Sequence, residues 1–268
     1  MSILNAKKLL KDWLPPVVLR LLQRRYAQAA VRWDGDYPDW QSAAAASGGY
    51  DHEAIFSKVC EGARAVRDGR ALWERDSVLF YHEEYRLPLL SCLTAVAAWN
   101  RGRLSVLDFG GALGSTYMQH RPLLDRLDAL RWNIVEQPHV VACGQGEFTT
   151  DVLRFWPSMQ ECAAVSSPDV ILFSSVLQYL EEPYAVLEEA ASLRAKAIIL
   201  DRTPFADEGE RITVQHVPAA IYPASYPCRW LDRRRTHDVL RQAFRLLPEY
   251  PSPVDPPGFY GFMAVRKD

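Results

Sequence analysis

The densest chemical pattern in the chain is the segment Val106-Leu-Asp-Phe-Gly-Gly-Ala-Leu-Gly-Ser115, followed further on by an acid, Glu136, that closes a second apolar run. Asp108 ends the first apolar run, and Gly110, Gly111 and Gly114 occupy the loop leading into a helix. Glycines lack a Cβ and let a ligand approach the backbone, and open α/β sheets bind ligands beyond the carboxyl ends of their strands. A phosphate would also fit a helix start of this kind, so the glycines do not choose the ligand. The acids do. A carboxylate at Asp108 repels a pyrophosphate and attracts a cation, while Glu136 is placed to accept hydrogen bonds from both hydroxyls of a ribose. Together they point to S-adenosylmethionine, whose methionyl end is cationic. A nicotinamide-dependent oxidoreductase is the competing reading of the same loop; Asp108 and the missing G-x-G-x-x-G pattern weigh against it.

Methyl transfer from a sulfonium is an in-line displacement that releases a neutral thioether. The protein must chiefly align the acceptor and, for an oxygen acceptor, take a proton. Three side chains are catalytic candidates: Tyr179, which closes Ser175-Val-Leu-Gln-Tyr179; Asp201, at the end of a later apolar run; and His216, in the insertion after it. Each also has an ordinary structural role open to it, as a packing residue, a loop cap and a hydrogen-bonded histidine. With the base unassigned, cyclisation or cleavage of S-adenosylmethionine stands as an alternative to methyl transfer. Tyr222-Pro-Ala-Ser-Tyr-Pro-Cys-Arg-Trp230 reads as a stiff aromatic loop suited to one wall of an acceptor pocket. His82-Glu83-Glu84 lacks distant partners for a metal, so no metal site is expected. His120-Arg121 reads as a solvated helix face, and Arg233-Arg-Arg235 as an exposed helix entrance.

Alternating strands and helices must position these residues. Strands are expected at residues 104–109, 132–136, 152–156, 170–174, 197–201, 244–247 and 259–265. Helical segments separate the first five, the pattern of a parallel sheet covered on both faces. Residues 248–258 are too proline-rich for a crossover helix, so the last two strands should pair antiparallel. The expected fold is α/β and Rossmann-like: a seven-stranded, mostly parallel sheet with an antiparallel last strand over residues 104–268. Residues 1–103 read as a helical arm and lid without strand pairs. Within it, helices are expected at residues 3–13 and 17–28, then a loop-rich link at 32–49 with its alanine run in a helix. An amphipathic helix follows, capped by Asp51 and closed by Gly69, and an apolar one runs over 87–100 with Pro88 in its first turn.

Over residues 104–266 the chain resembles the class I S-adenosylmethionine-dependent methyltransferases. Over nearly its whole length it is similar to a bacterial family of methyltransferases of unassigned substrate. Arg75-Asp-Ser-Val-Leu-Phe80, residues 106–121, Val135-Glu-Gln-Pro138, residues 168–179, Leu200-Asp-Arg-Thr-Pro-Phe205 and Ile221-Tyr-Pro-Ala-Ser-Tyr-Pro227 carry that closer resemblance. The resemblance implies that Asp108 and Gly110 face the methionyl moiety, that Glu136 holds the ribose with Gln137 beside the adenine, and that Ser174 and Ser175 line the sulfonium side. It implies a small-molecule acceptor, among them sugars and glycan precursors. Ala112 departs from the pattern, standing where most class I enzymes have a glycine.

The formal net charge of −2, with 49% hydrophobic and 24% charged residues, suits a soluble enzyme and gives no general attraction to nucleic acid. Cys60, Cys92, Cys143, Cys162 and Cys228 form no C-x-x-C pair, which argues against a disulfide framework and a thiolate zinc site and for a cytoplasmic protein. No apolar run approaches the ~20 residues of a membrane span. Before Asp34, seven Lys and Arg residues face Asp12 alone, interleaved with leucines and valines. Residues 1–32 are therefore expected either to touch the inner face of a membrane peripherally, or to pack on their own core or on a second copy in a homodimer.

Overall fold

The computed structural model describes residues 31–48, 52–218 and 224–267. The two N-terminal helices, the Asp51 cap and Tyr222 lie outside the described residues. In chain order the elements are β1 (Arg32–Tyr37), α1 (Trp40–Ala46), α2 (His52–Arg67), β2 (Trp73–Arg75), β3 (Val78–Phe80), α3 (Leu87–Trp99), β4 (Arg103–Phe109), α4 (Ser115–Leu124), β5 (Ala129–Val135), α5 (Pro138–Glu147), β6 (Leu153–Trp156), α6 (Met159–Val165) and β7 (Val170–Ser174). A 3-10 turn (Leu177–Tyr179) follows, then α7 (Pro183–Ser192), β8 (Ala197–Ala206), β9 (Arg211–Val217), β10 (Ala224–Asp232), α8 (Arg233–Arg241), β11 (Phe244–Leu246), β12 (Tyr250–Pro251) and β13 (Phe259–Arg266).

Leu104, Val106 and Leu107 of β4 are all buried, as befits a strand covered on both faces. β4 sits between β5 and β7, and the parallel series β6-β5-β4-β7-β8 places Asp108 beside Ile134 and Leu172, and Ser174 beside Asp201. β13 runs antiparallel along β8, and β11 pairs antiparallel with β13. All seven expected strands are therefore present, with the antiparallel last strand between the fifth and sixth.

The sheet is larger than expected. β8 runs on to Ala206, β10 joins it in parallel at Leu231 and Asp232, β9 and β1 extend the sheet antiparallel, and the short β12 pairs with β13, giving eleven strands. Three expectations are corrected here. The first third does contain strand pairs, in β1 and in the β2–β3 hairpin. The described part of the link, residues 32–48, holds a strand, β1, before the expected helix at the alanine run, which Asp39 caps by accepting from the Ser42 N–H at 2.7 Å. The aromatic segment ending at Trp230 is not a loop: from Ala224 onward it is β10. Gly35 at φ +81° and a register shift between Asp34 and Tyr37 break the alternation of β1. In β10, Pro227 disguises the strand; there only β9 flanks it, and a proline is tolerated at such an edge.

Two apolar clusters cover the sheet. One joins Cys60, Leu89, Leu93 and Val96 of α2 and α3 to Val106, Trp132, Ile199 and Met263. The other joins Met159, Leu187 and Leu240 to Phe173, Ile198 and Phe262. Leu89 and Leu93 are fully buried, each contributing about 1.5–3 kcal/mol. Among the described helices before residue 104, α2 and α3 thus share the core of the sheet, while Ala43 of α1 packs with Ile212 and Val214 of β9. Among the described residues no helix is long and apolar enough to cross a membrane.

Candidate functional site

The loop after β4 is shaped around Asp108. Gly110 has φ +71°, and a Cβ on it would lie 2.4 Å from Val176. A Cβ on Gly111 would stand 2.6 Å from the Asp108 carboxylate and 2.8 Å from Ile134, so only glycine fits there. Asp108 is buried and its Oδ2 accepts from Trp132 Nε1 at 3.0 Å. Burial pushes its pKa up to about 7, against that hydrogen bond and the charge of Arg86. Gly114, at φ +98°, turns the chain into α4.

Ala112 adopts φ +50°, a left-handed conformation costing an L-residue about 1–2 kcal/mol. Its N–H donates to Glu136 Oε1 at 3.2 Å, and the Gln137 N–H donates to Oε2 at 2.8 Å. Glu136 is thereby fixed at the end of β5 by two backbone amides, and burial raises its pKa despite them. Gln137 is exposed at the start of α5.

Behind the loop lies a network whose centre the sequence did not reveal. Arg86, just before α3, is 4% exposed. Its Nη1 pairs with Asp201 and donates to Ser174 Oγ at 2.8 Å, and its Nη2 donates to Thr116 Oγ1 at 3.1 Å. Ser174 Oγ donates to Asp201 at 2.9 Å, and Tyr250 reaches the other carboxylate oxygen at 3.4 Å. The backbone N–H of Arg86 donates to His120 Nε2 at 3.1 Å, and His120 Nδ1 meets the Thr116 carbonyl at 2.8 Å. One ring nitrogen accepts and the other donates, so the ring is neutral. Burial, then the Arg86 charge, pushes its pKa down to about 4. His120 is fully buried, which corrects its reading as a solvated face. Asp201, a candidate base, is tied to a buried cation.

A cavity of about 710 Å³ opens between this network and the antiparallel extension. Gly110, Gly111, Ala112, Ser174 and Ser175 border one side. Ser175 has φ +58°, with its N–H on the Asp201 carbonyl at 2.9 Å. Across the cavity, Trp33, Gln215 and Tyr226 are register neighbours on β1, β9 and β10 and share one face. Gln215 Oε1 accepts from Trp33 Nε1 at 3.0 Å and from the Tyr179 hydroxyl at 3.1 Å, and its Nε2 donates to the Tyr226 hydroxyl at 3.2 Å. Tyr179 lines the cavity, and burial raises its pKa well above the ordinary phenol range. His216 does not line it. Strand alternation turns it to the opposite face of β9, where it lies 3.4 Å from Asp34. The cavity-lining role of Trp33 and Gln215 had no sequence signal, because it depends on the pairing of β1 with β9.

No family model matches the chain, and no curated protein does. Among solved structures it is similar to 1,6-didemethyltoxoflavin-N1-methyltransferase from Burkholderia thailandensis, with bound 1,6-didemethyltoxoflavin and S-adenosylhomocysteine. That match has 17% identity and a TM-score of 0.45, covering 83% of this chain and 95% of that one. It is also similar to CalS10, an amino pentose methyltransferase from Micromonospora echinaspora with S-adenosylmethionine bound, at 11% identity and TM-score 0.47 over 76% and 96% of the two chains. Streptomyces venezuelae DesVI matches at 12% identity and TM-score 0.48 over 81% and 99%. The order β6-β5-β4-β7-β8-β13-β11, with β13 reversed, decides the architecture. The chain has the class I methyltransferase fold. On that methyltransferase fold the β4 loop, Glu136 and the ends of β7 and β8 converge on one rim, and the β1-β9-β10 extension faces them.

Proposed function

We propose that the chain is an S-adenosylmethionine-dependent methyltransferase acting on a small molecule. The observation that carries this reading is the buried Asp108 carboxylate set directly behind Gly111, with Glu136 fixed on the next strand. A cradle with no room for a Cβ, backed by an anion, fits a ligand that brings a positive charge close to the backbone, and it disfavours a pyrophosphate. Asp108 and Gly110 would face the methionyl end, Glu136 would take the ribose hydroxyls, and Gln137 would lie beside the base. Ser174 and Ser175 would border the sulfonium. Bound there, the cofactor would supply an electrophilic methyl carbon to a lone pair of the acceptor, with the C–S electron pair kept on sulfur as a neutral thioether and the acceptor's proton passing to solvent.

The chain's own share of the work is alignment. Arg86 neutralises Asp201 and holds Ser174 in place. Tyr179, kept protonated by burial, donates to Gln215, and these two with Tyr226 offer polar contacts that orient an acceptor. Calorimetric titration with S-adenosylhomocysteine tests the reading, with saturable binding and a thermal upshift expected. No heat and no shift would overturn it. Mass spectrometry after incubation with S-adenosylmethionine separates methyl transfer, which yields S-adenosylhomocysteine, from cleavage, which yields methylthioadenosine.

A further inference from the structure

Three arginines line the cavity, and two of them are neutralised. Arg86 pairs with Asp201, and Arg202 makes a two-pronged contact with Asp255 at 2.8 and 3.0 Å. Arg75 differs. Among the described residues no carboxylate lies within 4 Å of its guanidinium, and its Nη1 is buried without a hydrogen-bond acceptor. Arg75 is half-buried, and burial and the charge of Arg202 weigh against its charged form more than the carboxylates of Asp76 and Glu84 favour it.

The guanidinium is nevertheless held firmly. Its carbon lies 5.5 Å from the Trp73 ring and 5.4 Å from the Phe80 ring, which stack on each other at 3.8 Å. The β2–β3 turn beneath it takes two left-handed residues, Asp76 and Ser77, the geometry of a tight hairpin. Glu74 pins that hairpin to α4 by accepting from Ser115 Oγ, and to its own turn by accepting from the Ser77 N–H at 3.0 Å. A charged planar fork has thus been built into a rigid mount on the cavity wall. The same cavity carries the flat surface of Trp33 and Tyr226, with Phe259 at 5.6 Å from Trp33.

We propose that the acceptor is a ring compound bearing an oxyanion, which pairs with the Arg75 guanidinium while the ring lies on the Trp33–Tyr226 face. This rests on the methyltransferase reading and names its substrate class. A guanidinium fork matches a carboxylate or a phosphate equally well, so the probes carry both chemistries.

The test uses the full chain, its Arg75→Met variant and its Arg75→Lys variant. Tryptophan fluorescence is followed during titration with benzoate, with benzyl alcohol as the neutral ring and inorganic phosphate as the ringless anion, each with and without saturating S-adenosylhomocysteine. Affinity for S-adenosylhomocysteine is measured separately by calorimetry. Benzoate is expected to bind the wild type saturably and more tightly than benzyl alcohol, with phosphate competing. Arg75→Met should weaken benzoate at least tenfold, Arg75→Lys should weaken it less, and S-adenosylhomocysteine affinity should stay within twofold. Thermal melting of Arg75→Met should match or exceed the wild type, because the substitution removes a guanidinium that burial and Arg202 disfavour and whose Nη1 has no acceptor. Benzoate binding no tighter than the alcohol, or equally tight in Arg75→Met, overturns the proposal. A fall in S-adenosylhomocysteine affinity with benzoate unaffected also overturns it, by assigning Arg75 to the cofactor's carboxylate. Failure of the wild type to bind S-adenosylhomocysteine would overturn the cofactor reading instead, and the titrations without it would still judge the anion site.

Discussion

Replacing Asp108 by Asn separates what this carboxylate costs the fold from what it gives the site. Burial raises its pKa from 3.8 to about 7, so between those values the folded protein holds a proton that the unfolded chain has released. Stability due to this group therefore falls as pH rises through that window and levels off above pH 7. At ~1.4 kcal/mol per pH unit the full penalty is about 4 kcal/mol. Asparagine removes the charge and can still accept from Trp132 Nε1, but its amide N–H groups enter the same dry space at a cost of about 1–3 kcal/mol. The net expectation is a variant more stable than the wild type by about 1–3 kcal/mol at pH 8, with Tm raised by roughly 2–4 °C per kcal/mol. Near pH 4 that advantage should vanish. The same variant should bind S-adenosylhomocysteine about 10- to 150-fold more weakly, the loss of a charge-assisted contact worth about 1.5–3 kcal/mol. Thermal melts at pH 4, 6 and 8 and calorimetry at pH 8 measure both sides. Unchanged affinity, or a stability difference indifferent to pH, would refute the assignment of Asp108 as a buried anion awaiting a cationic ligand.

Glu136→Ala should weaken S-adenosylhomocysteine by about 1.5–3 kcal/mol in calorimetry while leaving Tm near the wild type, since the two amides it releases lie at a partly open rim. Arg86→Met and Asp201→Asn each strip one side of a buried ion pair, and urea unfolding should show losses of about 3–5 kcal/mol for either; the double variant should recover part of that loss. His216→Ala should change neither S-adenosylhomocysteine affinity nor, beyond about 0.5 kcal/mol, stability, because it leaves only an exposed contact with Asp34. A large effect in calorimetry or melting would return His216 to the site.

The parallel half of the sheet was legible because its strands are buried on both faces and read as continuous apolar runs, from Leu104 to Phe109 and from Val170 to Phe173. Asp108 and Glu136 stood out against those runs by their polarity alone. Signals that depend on pairing were not legible. Trp33 and Gln215 meet only because residues far apart in sequence fall into register across β1 and β9, and Gly35 interrupts the one alternation that could have announced β1. His120 read as a solvated residue because it is polar, and no local pattern singled out Arg86. Each is buried through the other: the backbone of one donates to the ring of the other, and the guanidinium finds Asp201.

The position of the antiparallel extension explains why the least legible part of the chain forms the cavity wall opposite the β4 loop. A parallel strand must hand its chain to a crossover, and the crossover after β8 has been lengthened into β9 and β10 before α8 returns to β11. Because β10 pairs with β8 only at Leu231 and Asp232, opposite the last residues of β8, the rest of the β1-β9-β10 ribbon stands apart from β8 and faces the β4 loop across the cavity. Its cavity face then needs residues that are flat and polar at the tip, such as Trp33, Gln215 and Tyr226, and this composition weakens the apolar alternation by which strands are recognised. The cofactor half of the site follows from rules shared by every open parallel sheet. The proposed acceptor half follows from one long insertion whose pairing partner lies near the start of the described chain, so the residues proposed to meet the acceptor are those that local patterns reveal least.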